Sequence, residues 1–441
     1  MKNFLLVALL FIATGTTAQT PKCGYTDIIK QYEKVDPTYK QRTDQLFKQI
    51  ATNSASKTTT EVYRIPIVFH VVYKTQEQNV SDPVLQNQLQ ILNDAYRHRH
   101  SDIGKLREVF KPFAADARIE FYLATRDPNG LPTTGITRTK TNITRFGDYV
   151  NDTTFNSLER IKQTDKGGIS PWPTDKYLNI WIGDIGDSTH GIPVLLGYAT
   201  PPMDPLPPNW IDAEWPELID GVVLQYQAVG NNNPHNGDLQ GLATAGRIMV
   251  HEIGHYLGLR HISGDAAGTS KACTHDGDDG IADTPPQGMQ SNMVVDCPSP
   301  TQNTCNAALP GDLPDMWENY MDYSNDKCQS LFTKGQTTMM RVVLENQRKK
   351  LISYQSTSIT NLMSNDNISI YPQPAHNVLN VDYTGAISSL QIYNMVGQNV
   401  LTQKNGTTRQ IDISSLPTGS YILQLKTKEG TMRSKKLIIQ R

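Results

Sequence analysis

Net charge is nearly absent from this chain: 41 Lys and Arg face 43 Asp and Glu, a formal −2, and no basic cluster breaks the balance. That excludes an electrostatic footprint for nucleic acid as the main basis of function. Beyond the N-terminus no apolar run approaches the roughly 20 residues a membrane-spanning helix needs. Cysteine is scarce, five in 441 residues, and no two stand in a Cys-x-x-Cys pair, which argues against a second, structural zinc site. Long internal repeats and low-complexity tracts are also missing, so solenoids and disordered scaffolds are set aside.

What is present begins with "MKNFLLVALLFIATGTTAQ": Lys2, an apolar run from Phe4 to Ile12, then small residues ending at Ala18. This reads as a secretory signal over 1–18, cleaved before Gln19. Export makes the cysteines readable as disulfide partners. Cys273, Cys297, Cys305 and Cys328 crowd one region, and four cysteines allow three pairings. Cys23 stands alone near the new N-terminus.

The most informative stretch is "HEIGHYLGLRH", His251 to His261. A helix turns by about 100° per residue, so His251 and His255 lie on one face, one turn apart, where two imidazoles share a zinc ion. Glu252, one residue round, reaches the same ion's open side and serves as general base. Gly258 lets the helix stop and the chain bend, bringing His261 in as third ligand. Three protein ligands leave a fourth position open, which separates catalytic from structural zinc. Ile248, Met249, Val250, Ile253 and Leu257 supply the buried side of that helix.

Along the chain, residues 19–56 are polar and end in the small-residue stretch "TNSASKTTT", a propeptide followed by its exposed link. A catalytic domain is expected over 57–354. Within it, "YRIPIVFHVVY" predicts a buried strand with His70 as a core histidine, and "SDPVLQNQLQILNDAYR" an amphipathic helix capped at Ser81 or Asp82. Strands are predicted at 119–124, 177–183 and 221–226, and "LLGYATP" (195–201) as the sheet edge against which an extended peptide would pair. After a linker at 355–366, residues 367–441 carry short alternating runs between Gly, Pro and Asn turns, the pattern of a small β-sandwich.

The extended histidine motif resembles that of metzincin zinc endopeptidases, and "ENYMDYSNDKC" supplies Met321 in the position of their methionine turn and Tyr323 two residues on. The clustered cysteines, "DGIADTP" (279–285) and "NYMDYSNDKC" resemble the pappalysin family within them. That resemblance implies an α+β fold, a twisted mixed sheet plus helices around a zinc cleft, and disulfides Cys273–Cys305 and Cys297–Cys328. It implies that Tyr323 steadies the oxyanion, and that Cys23 in "PKCGY" holds the zinc of a latent zymogen. Asp326 would form the floor of the pocket for the residue after the scissile bond, giving a preference for Arg and then Lys. Structural calcium is implied near Asp279, Asp283 and Thr284. Activation would be autocatalytic, at the bond between Ser56 and Lys57 or near Arg64.

The segments "IYPQPAHNVLNV", "IYNMVGQNV" and "ISSLPTGSYIL" resemble the sorting domain of the type IX secretion system. The type IX machinery, protein or peptide substrates and a secreted or cell-surface location follow from that resemblance. The competing reading from another class is an exported adhesin whose zinc only holds a loop.

Overall fold

The computed structural model describes residues within 22–45, 61–147, 156–202, 219–353 and 369–441, with short gaps inside all but the second. The signal segment at 1–18, the Ser56–Lys57 bond and the linker at 355–366 lie outside the described residues. The chain divides into two units, Met1–Ser353 and Tyr354–Arg441.

The first unit is organised by one sheet. Its strands are β1 (Lys22–Cys23), β2 (Tyr63–Tyr73), β3 (Ile119–Leu123), β4 (Ile136–Lys140), β5 (Leu178–Gly183), β6 (Leu195–Ala199) and β7 (Val222–Gln225). They lie in the order β1-β6-β7-β5-β2-β3, and β4 continues beside the second half of β2. All pairings are parallel except β6 with β7. Strand β2 is apolar almost throughout because both of its faces are covered, as parallel strands require. His70 is the polar exception. It is fully buried between Thr137 Oγ1 (2.7 Å) and Asn179 Oδ1 (2.9 Å), and burial pushes its imidazole down to about 4.

Helix α1 (Tyr25–Val35) follows β1, and α2 (Asp82–Tyr96) follows β2. Leu85, Leu92 and Tyr96 of α2 are fully buried in the same core as α3 (Ile248–Tyr256), and the Tyr96 hydroxyl donates to the Val250 carbonyl. Ser81 holds the N-cap position of α2 without a side-chain cap bond; Asp82 instead pairs with Arg138. Helices α4 (Lys334–Glu345), opened by a Thr333–Gln336 capping box, and α5 (Lys349–Ser353) follow later in the chain, and a short helix spans Asn156–Glu159. Disulfides join Cys273 to Cys305 and Cys297 to Cys328, the pairing the resemblance implies.

The described residues of the second unit form only strands and their connections. A three-stranded sheet (Ser369–Tyr371, Val378–Asp382, Gln410–Asp412) and a four-stranded one (Ile387–Asn394, Asn399–Lys404, Gly419–Thr427, Met432–Ile439) share one core, including Leu379, Leu390, Ile411, Leu423 and Leu437. Alternation places Tyr421, Leu423 and Leu425 inward and Ile422 and Lys426 outward.

Candidate metal centre

All nine residues of α3 are buried. Met249, Val250 and Ile253 meet the sheet and α2, while the histidine face turns to a cleft. His255 Nε2 stands 3.0 Å from His251 Nε2 and 3.1 Å from His261 Nε2. The outer nitrogens fix the tautomers: Nδ1–H of His251 donates to the Tyr320 carbonyl at 2.7 Å and that of His255 to the Leu259 carbonyl at 2.8 Å. The Nε2 lone pairs therefore converge, and burial, the leading cause, holds His251 down to about 4, so the rings are neutral. Three converging lone pairs repel one another unless a cation lies between them. The donor set fits zinc.

The bend that carries His261 home is built on glycine. Gly258 has φ +92°, its N–H donates to the His255 carbonyl, and Leu259 N–H returns to the Gly254 carbonyl. Gly254 matters for a different reason: a Cβ there would lie 2.5 Å from Met321 Sδ, so the methionine packs directly beneath the helix. The same holds for Gly197 on β6, whose Cβ would meet Glu252 Cγ at 2.9 Å. Sequence reading singled out Gly258 but neither of these. Their need arises from partners 67 and 55 residues away in the numbering (321 − 254 and 252 − 197).

Glu252 is fully buried, and burial pushes its carboxyl up to about 8 before any ion's charge is counted. The Cys23 thiol donates to its Oε2 at 3.2 Å, while Oε1 has no partner. Burial, and then the charge of Glu252, push that thiol well up, so it stands here as a neutral donor. Cys23 and the three histidines offer four ligand atoms within 4.8 Å of one another, the one such metal-binding group among the described residues. Sequence reading expected Cys23 at the metal. It did not anticipate that Lys22–Cys23 would form a strand on β6, parallel to it, with Gly24 N–H bonded to the Gly197 carbonyl at 2.9 Å. The edge at 195–201 is thus the last long strand of the sheet, and Lys22–Cys23 pair along it. Tyr25 stacks on His255 with ring centroids 3.8 Å apart, and Arg260 pairs with Asp44 at 2.7 Å. The Tyr323 hydroxyl donates to the Cys23 carbonyl at 3.3 Å.

Asp326 is fully buried. Its carboxylate accepts from the backbone N–H of Thr244, Ala245 and Arg247 (2.9–3.2 Å), so it caps the approach to α3, and burial raises its pKa. Arg247 spends its guanidinium on the carbonyls of Asp326 and Gln329 and on the Asp102 carboxylate. A small cavity beside the metal site is lined by Cys23, Leu196, Ile248, His251, Glu252, Asp322, Tyr323 and Gln329. In the acidic loop, Asp279 Oδ1 accepts from Thr284 Oγ1 (2.8 Å) and Ile281 N–H, and Oδ2 is buried without a partner. Asp283 accepts from Thr333 Oγ1 and Gly335 N–H at the start of α4.

Comparison with known proteins agrees with this geometry. Residues 236–345 match the family profile described as pregnancy-associated plasma protein-A, and 369–440 match the secretion system C-terminal sorting domain. An extracellular metalloprotease of Uncinocarpus reesii is 29% identical over 293 residues, 65% of this chain and 76% of that protein. Mature mirolysin of Tannerella forsythia, solved with a cleaved peptide, is 37% identical with a TM-score of 0.55, covering 68% of this chain and 98% of mirolysin. A promirolysin variant from the same organism is 36% identical with a TM-score of 0.60, covering 76% and 98%. This chain belongs to the pregnancy-associated plasma protein-A family, the pappalysins, and is a secreted zinc metalloendopeptidase with a C-terminal secretion sorting domain.

Proposed function

We propose that the chain is made as a zymogen silenced by Cys23 and, once processed, cleaves proteins before Arg and secondarily Lys. The observation that carries the latency is the position of the Cys23 sulfur, among the three histidine nitrogens and 3.2 Å from Glu252 Oε2. There it would be the fourth donor to a zinc ion held by the histidines, and it already occupies the base. Zinc, when bound by His251, His255 and His261, supplies a Lewis acid that polarises the scissile carbonyl and acidifies water.

The rest falls to the chain's own residues. Glu252 takes a proton from the attacking water and hands it to the leaving nitrogen, a role worth about 10²–10⁴ in rate. Its burial makes it a stronger base than a free carboxylate, and the charge of a zinc ion beside it would keep it ionised to take that proton. Tyr323 already donates to a peptide carbonyl lying over the site, that of Cys23, and we assign it the same bond to the oxyanion of a substrate. Strand β6, once the prosegment leaves, offers its edge to an extended peptide.

For the basic preference, the support is a buried carboxylate held by amides rather than by a cationic side chain. Asp326 does not itself line the cavity; it lies under the residues that lead into α3, whose Ile248 does, and from there its negative charge would favour a guanidinium or ammonium over an apolar side chain. Calcium at Asp279, Asp283 and Thr284 is proposed on the unpartnered, buried Asp279 Oδ2. The C-terminal unit is the part that type IX machinery would handle.

Casein hydrolysis by the processed chain, lost in Glu252→Ala with zinc retained, is the expected result. Equal activity in that variant would leave only a zinc-holding adhesin. Cys23→Ala should mature faster and show early activity; a variant as latent as the parent chain would remove the switch.

A further inference from the structure

Glu252 orients the cavity with respect to the substrate. If it protonates the leaving nitrogen, the residue carried by that nitrogen lies on Glu252's side of the metal. The cavity lined by Glu252, Leu196, Ile248, Asp322 and Gln329, and closed in the latent chain by Cys23, therefore receives the side chain that follows the scissile bond. Its apolar part, Leu196 and Ile248, suits a methylene stem. Besides Glu252, His251 and Tyr323, which are already given roles, its polar part has two members, Asp322 and Gln329, and they differ in how much they have left to offer.

Asp322 is spent. Its Oδ1 accepts from Gln287 Nε2 (2.8 Å) and Ser291 N–H (3.1 Å), and its Oδ2 from Ser324 N–H (3.1 Å). Gln329 is the opposite case. Its Nε2 donates to the carbonyls of Asp322 (2.9 Å) and Ser324 (3.3 Å), which fixes which end of the amide is which. Its own carbonyl is held by Arg247. The side chain is 2% exposed, and its Oε1 has no partner at all. A buried acceptor left unpaired is costly, and because Gln329 is one of the residues that line the cavity, a donor entering there can relieve it.

We propose that Gln329 is a specificity-determining residue, its Oε1 accepting an N–H from the side chain after the scissile bond. Donors of the right reach are guanidinium, ammonium and carboxamide groups; hydrocarbon side chains leave Oε1 unpaired and are disfavoured. This deepens the preference assigned above to Asp326 and rests on the same orientation of substrate, but the two residues read different properties. Asp326 reads charge, and Gln329 reads the presence of a donor. Gln after the scissile bond satisfies the second without the first.

The test uses the processed enzyme and matched peptides with Arg, Gln, Met or Leu after a single scissile bond. In Gln329→Met the Arg-to-Leu and Gln-to-Leu ratios of kcat/KM should each fall about 10- to 100-fold. Gln329→Glu, which keeps an acceptor oxygen, should retain both preferences over Leu and raise Arg over Gln. A Gln329→Met enzyme that loses activity on all four peptides alike, with ratios unchanged, would make Gln329 a structural residue only and overturn the proposal. So would a wild type that treats Gln and Leu peptides equally. A wild type that favours Gln and Arg equally over Leu, and loses both preferences in Gln329→Met, would uphold Gln329 while removing the charge reading of Asp326. Should Gln329→Met not fold, an unchanged Arg-to-Gln ratio in Gln329→Glu would by itself overturn the proposal.

Discussion

Replacing Gly258 by Ala perturbs the turn that delivers the third histidine. Two costs add. The backbone at φ +92° is left-handed, which a residue with a Cβ adopts at about 1–2 kcal/mol. The new methyl would then sit 2.9 Å from Val343 Cγ2 and 3.4 Å from Pro202 Cγ, and overpacking of this kind costs about 1–3 kcal/mol. The stiffer unfolded chain returns about 0.4–1 kcal/mol. The net loss is about 1–4.5 kcal/mol, or a melting point lower by about 2–7 °C for a domain of about 300 residues. Because the strain is concentrated between His255 and His261, metal retention should suffer with stability. The measurement is a thermal melt of the zinc-loaded chain with a parallel chelator titration. A loss below about 0.5 kcal/mol with zinc held as tightly as before would refute the argument that this glycine is required by the turn.

Arg348 should prove a clamp on the far end of α3: it donates to the Tyr256 and Thr200 carbonyls and bidentately to Asp220 (2.8 and 2.9 Å). Arg348→Leu strands those acceptors and should lower the urea-derived stability by about 2–4 kcal/mol; a change under about 1 kcal/mol would contradict the clamp. His70 predicts a pH dependence. Its folded pKa, about 4, lies below the unfolded value of about 6.5, so the unfolded chain binds the extra proton first, and stability present above pH 6.5 is lost as pH falls toward 4. Between pH 7 and 5 that loss is about 2 kcal/mol. His70→Gln should abolish this share of the slope in urea midpoints, and an unchanged slope would show that His70 is not its source.

The convergence of the three histidines was legible because their geometry is local. His251, His255 and His261 lie within eleven residues, and helical period plus one glycine turn determine their convergence. The buried strand around His70 and the alternating runs of the C-terminal unit were legible for the same reason, as period-two or apolar patterns. The contacts that shape the site beyond the metal were not. Cys23 and Glu252 are 229 residues apart, Arg247 and Asp102 are 145 apart, and Asp326 meets amides 79 to 82 positions away. No pattern within one segment encodes such a pairing. Gln329 carried no signal at all, since a glutamine after a cysteine resembles any polar loop residue until its neighbours leave one oxygen unpaired. Asp326 shows the limit from the other side: the resemblance suggested a pocket floor, whereas its bonds to the amides before α3 could not be read from the sequence.

X-ray absorption at the zinc edge, on the purified full chain and again after removal of the prosegment, tests the central claim most directly. The latent chain should hold zinc with nitrogen and one sulfur donor, and the sulfur signal should vanish on processing, as it should in Cys23→Ala. A latent chain that holds no zinc, or holds it with no sulfur in its shell, would contradict the account.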